Sequence, residues 1–182
     1  MRVTTRSTRA RWGARCVGLG LTTALAVALG AGPAAADPGE QFDAEVAPRE
    51  VGNNPNCDDI VPELDFVHEA DTENEPTDET LAFTVNGQQG SVIIDVTSTN
   101  MEGEPLRFDF SVTGPFAVAA VIVKGGPAND PTTGANLYDY RTTPAGQVEA
   151  DETLHAQLNP NGTAYTGISH VAFCMVEDGA QT

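Results

Sequence analysis

Five oxygen-bearing side chains, Asn129, Asp130, Asp139, Asp151 and Glu152, sit in three neighbouring stretches of the C-terminal half. Hard cations such as Ca²⁺ want about six to eight oxygen ligands. If these stretches meet at one end of the fold, they form a site for Ca²⁺ or a polar ligand. The acidic residues 69–79 supply a second group of oxygens, but lack the D-x-[DN]-x-[DN]-G spacing that would set them around one ion. His68, His155 and His170 are the only histidines, and none lies at a short ligand spacing, so no metal ligand is assigned. Ser169 and His170 suggest a nucleophile and its base. Neighbours on a strand point to opposite faces, however, and the chain has no G-x-S-x-G. Lys124, the only lysine, ends an apolar run. Its stem can be covered while its ammonium reaches a carboxylate; Asp139 and Asp151 are the candidates, and Asp139 is the expected ion-pair partner. The sharper alternative is an isopeptide bond from Lys124 to Asn136. No catalytic residue is assigned, and Ca²⁺ is the one cofactor the pattern leaves room for.

The elements that must position these groups read as strands. The segment Leu106-Arg107-Phe108-Asp109-Phe110-Ser111-Val112 alternates strictly, as a half-buried strand does. Residues 81–85 and 91–97 alternate around Asn86-Gly87, a turn dipeptide with positive-φ preference. Gln88-Gln89-Gly90 follows, so a loop longer than two residues is expected there. Residues 116–123 are apolar on both faces, valine-rich and bounded by Gly-Pro and Gly-Gly, which favours a central strand over a buried helix. Residues 63–67, 137–141 and 168–176 complete about seven strands. The fold class expected is therefore an all-β antiparallel sandwich, Ig-like or prealbumin-like, over residues 57–178, with a flexible arm at 37–56 and a tail at 179–182. The acidic residues 69–79 are expected to be an exposed loop.

The first 36 residues read as a cleaved signal peptide. Five arginines precede an apolar stretch at 17–29, and Ala34-Ala35-Ala36 is an A-x-A cleavage site. Without them, four basic residues face 26 acidic ones, a net charge of −22. Such a chain repels nucleic acid and anionic membranes. Cys57 and Cys174 are the cysteines left. An even pair on an oxidising route implies one disulfide.

The segments Val121-Ile122-Val123-Lys124-Gly125-Gly126, Ala135-Asn136-Leu137-Tyr138-Asp139-Tyr140, Thr153-Leu154-His155-Ala156 and Ile168-Ser169-His170-Val171-Ala172-Phe173-Cys174 together resemble a recurring extracellular bacterial module. Gly52-Asn53-Asn54-Pro55-Asn56-Cys57 fits it too. Its members are exported proteins, often from Gram-positive bacteria, and some sit on the cell surface. The resemblance implies a secreted β-rich domain and no particular reaction.

The expectation is thus a secreted, monomeric, non-catalytic module, binding or structural, with an extracellular or cell-envelope partner. It neither binds nucleic acid nor inserts in a membrane once the leader is removed. A secreted hydrolase and a Ca²⁺-stabilised adhesion domain are the alternatives.

Overall fold

In the computed structural model, residues 46–52, 55–60, 66–126 and 134–178 are described. Residues 1–36, expected to be a signal peptide, most of the expected arm, residues 63–65 and the tail 179–182 lie outside them, as do Asn129 and Asp130. The described chain runs β1 (Arg49–Val51), α1 (Cys57–Ile60), β2 (His68–Asp71), β3 (Glu79–Val85), β4 (Gln88–Thr99), β5 (Pro105–Thr113), β6 (Phe116–Gly125), β7 (Ala135–Asp139), a 3₁₀ turn (Tyr140–Thr142), β8 (Ala150–His155) and β9 (Ile168–Glu177). Two antiparallel sheets result, in the orders β1-β7-β6-β9-β2 and β3-β4-β5-β8. The all-β sandwich stands. Among the described residues no helix is long and apolar enough to cross a membrane.

β6 is central because its sequence lets both faces be covered. Val121 and Val123 pack between the sheets, while Ala120 and Ile122 join a second cluster on the outer face with Cys57, Ala135, Leu137, Ala172 and Cys174. Phe116 and Val118 also face inward, although they have the opposite parity. A register shift between Val118 and Ala120 accounts for this, since one extra residue moves the following side chains to the other face. α1 reaches the outer face through Cys57, which is bonded to Cys174 of β9. Between the sheets Phe173 stacks edge-on to Phe110 and Phe108, at 5.2 and 6.3 Å between centroids.

Three expectations change. β3 and β4 are joined by two residues only, with Val85 opposite Gln88. Asn86 and Gly87 take φ of 52° and 81°, the tight mirror-image turn, and Gln88-Gln89-Gly90 belongs to the strand. Arg49–Val51 is not a flexible arm but an edge strand paired to β7. Residues 69–71 are not loop, because β2 pairs with β9 along His68–Asp71 and buries Ala70 to 5 % exposure.

The two long seams of the sandwich differ. On one, Val148 exchanges both backbone hydrogen bonds with Val118 of β6, and the chain then bonds β5 through Glu149, stitching sheet to sheet. On the other, among the described residues, no backbone hydrogen bond joins β2 to β3.

Candidate functional site

The polar side chains fall into two groups. The first lies between the sheets. The Tyr138 hydroxyl donates to the His155 carbonyl at 3.2 Å and accepts from the His155 N–H at 2.9 Å. Asn136 Nδ2 donates to the same carbonyl at 3.0 Å. The Tyr140 hydroxyl donates to Asp151 Oδ2 at 2.5 Å, and Asp151 Oδ1 accepts from the Glu152 N–H at 2.8 Å. Alternation on β7 sends Asn136 and Tyr138 inward, and the chain continues to Tyr140 on the same side. All of them cross to β8, so they fasten one sheet to the other. Burial raises the pKa of both tyrosines; at Tyr140 the nearby Asp151 charge adds to it.

His155 belongs to this group. Its Nδ1 lies 2.8 Å from the Ala156 carbonyl, and its ring stacks on Tyr165 at 3.9 Å between centroids. Arg107 covers the Tyr165 ring at 5.2 Å. Burial lowers the His155 pKa below the ordinary histidine value; the Ala156 carbonyl opposes this and the Arg107 charge adds to it. Asp109 holds the next segment, its Oδ1 accepting from the Thr153 N–H at 2.7 Å. Thr153 has φ of 60°, a strained value for a β-branched residue.

The second group lies around the linker between β2 and β3. A cleft of ≈ 660 Å³ opens between these strands, with His68, Glu69, Asp71, Glu73, Glu75 and Glu79 among its walls. The other side of the linker faces a cleft of ≈ 1010 Å³ that includes Lys124, His170, Ser169, Glu73, Glu75 and Glu104. Burial lowers the Lys124 pKa, and the charges of Glu69, Asp71 and Asp59 push back against that shift. His170 Nε2 stands 3.7 Å from Asp71 Oδ2, and its pKa is lowered by burial first and by Lys124 second.

The expected ion pair of Lys124 with Asp139 does not form. Lys124 is opposite Ala135 and Asp139 opposite Ala120, four positions further along the same ladder, or roughly 13 Å. Asp139 takes Arg141 instead, Nε to Oδ1 at 2.7 Å and Nη2 to Oδ2 at 2.5 Å, and hydrogen bonding from Arg141 holds its carboxyl below the usual range. Nor can Lys124 reach Asn136, which sits at the inward-facing register position opposite Val123. Asp139, Asp151 and Glu152 do not gather either. Asp139 shares the outer face with Leu137, Asp151 is buried under Tyr140, and Glu152 is exposed. Among the described residues no group of three or more His, Cys, Asp or Glu side chains is arranged to hold a metal ion. Asn129 and Asp130 are outside the described residues.

His155 and His170 stand on opposite faces of the first sheet, so they cannot converge. The Ser169 hydroxyl points to the Lys124 carbonyl, at 3.4 Å. The carboxylates of Glu69 and Asp71 were hidden in sequence because they occur within a run that is acidic throughout. Only the pairing of β2 with β9 reveals that they share a face with Lys124. When the chain is compared with family models, curated proteins and solved structures, nothing matches it.

Proposed function

We propose that this chain is a secreted, non-catalytic β-sandwich module that works outside the cell by binding. One observation carries the reading: the side chains that could do chemistry serve the fold. His155 is packed against Tyr165 and bonded to Ala156, His170 faces Asp71, and the Ser169 hydroxyl is directed at a backbone carbonyl. Nucleophilic catalysis needs a hydroxyl directed at a base, with a third group orienting that base. The buried Cys57–Cys174 bridge suits an oxidising compartment. The basic-then-apolar leader and the segment-level resemblance to an extracellular bacterial module support export.

Two measurements test this. Export with cleavage before Asp37 is read from the intact mass of protein collected from the medium; an uncleaved chain retained in the cytoplasm rejects it. The hydrolase alternative draws on the cleft that holds Ser169 and His170. A serine-reactive fluorophosphonate probe should leave the protein unlabelled. Labelling that disappears in Ser169→Ala would replace the binding reading with an enzymatic one.

A further inference from the structure

A sandwich has four strand edges, and here three are blunted. β1 has three residues and β2 four. β8 carries a register shift against β5 and the strained Thr153. Short, bulged or twisted edges resist pairing with another chain. β3 differs. It has seven residues, no proline, and an unbroken register with β4 from Glu79 to Val85. Among the described residues its other side pairs with no strand. Every second residue of β3 therefore turns its backbone N–H and C=O away from β4.

The surroundings of this edge select what can pair with it. Thr80, Ala82 and Thr84 are exposed on the outer side of β3, and a shallow depression there is lined by these residues with Gly90 and Ser91. Between β2 and β3 the ≈ 660 Å³ cleft has Glu73, Glu75 and Glu79 in its walls, with His68 as the one basic-capable group; Glu69 and Asp71 of β2 also border it, but Glu69 accepts from the Cys57 N–H at 3.1 Å and Asp71 lies 3.7 Å from His170. The carboxylates alone would be a solvated patch. Beside a free, regular edge they set a charge rule for an incoming strand. A second copy of the processed chain, with 26 acidic and four basic residues, is repelled.

The geometry points to β3 as a docking edge for an extended basic peptide of a partner protein. The peptide adds a fifth strand to the second sheet, with Lys or Arg at alternate positions facing Glu73, Glu75 and Glu79. Main-chain hydrogen bonds give affinity in this mode, and alternate side chains give specificity. The residues between them lie beside Thr80, Ala82 and Thr84, where small or β-branched side chains fit. This deepens the reading of the domain as a binding module and rests on it.

The test uses the processed chain and a labelled peptide of the sequence Lys-Thr-Lys-Val-Lys-Thr-Lys, as long as β3. Fluorescence anisotropy should show saturable binding, and hydrogen exchange should slow at β3 amides. N-methylation at alternate peptide residues keeps the charge and removes backbone donors, and should weaken binding at least about tenfold. The double variant Glu73→Gln/Glu75→Gln lies in the exposed linker and should melt as the parent does while binding about tenfold more weakly. Absence of binding, equal binding of the N-methylated peptide, or protection away from β3 each overturns the docking edge. None of those outcomes restores catalysis, which the probe experiment decides separately.

Discussion

Tyr138 and Tyr140 are two residues apart and do the same work, each reaching from the first sheet to β8. Their shared face follows from strand alternation and was legible in sequence; the partners were not, because which residue of β8 lies opposite depends on the packing of the sheets. Removing one hydroxyl tests the role. Tyr140→Phe takes a donor from buried Asp151, and should cost about 1–3 kcal/mol in denaturant unfolding. The histidines make a prediction of defined sign. The folded pKa values of His155 and His170 are both lowered. As pH falls below about 6.5, the unfolded chain takes up protons that the folded chain does not. Stability is therefore full above that pH and declines as pH falls through the folded values. The unfolding midpoint should drop as pH falls below about 6.5, and His155→Gln/His170→Gln should flatten the slope whatever its effect on absolute stability. Asp139, lowered by Arg141, acts in a separate and more acidic window. For Lys124 the sequence suggested Asp139, whereas the pairing of β2 with β9 brings Glu69 and Asp71, and the placement of α1 brings Asp59, close enough to oppose the lowering of its pKa.

At the scale of elements, β5 and β6 were readable because their burial is printed in their side chains: strict alternation for one, apolar on both faces for the other. The bulge at Ala119 was not readable, since alanine and valine at 116–123 leave both parities open. The β3–β4 hairpin was half readable. Asn86-Gly87 announced the turn, and the polar Gln88-Gln89 disguised the start of β4. Gly87 has φ of 81° with nothing within 4 Å of a Cβ built there, so the cost of a side chain is conformational alone. Gly87→Ala should destabilise by roughly 1–2 kcal/mol, checked by thermal unfolding. Because that turn sets the register of β3, the same variant should also weaken binding of the basic peptide at the β3 edge. β2 was misread because its outward positions carry Glu69 and Asp71, charges tolerated there by the cleft and by Lys124.

The whole molecule rests on one covalent closure. The Cys57–Cys174 bridge spans a sequence separation of 117, ties α1 to β9 and sits at the centre of the outer cluster. The pairing was legible because two cysteines remain once residues 1–36 are read as a leader. Its placement, which lets a four-residue helix cover the outer face of β6 and β9, was not. Closing a loop of this length restricts the unfolded chain by about 4–5 kcal/mol in the chain-entropy model. The most direct test of a disulfide-closed sandwich is denaturant unfolding of the processed chain with and without reductant. One cooperative transition is expected in each case, with the reduced protein less stable by about 2–5 kcal/mol. Identical curves, or native protein whose Cys57 and Cys174 both react with an alkylating agent before reduction, would contradict it.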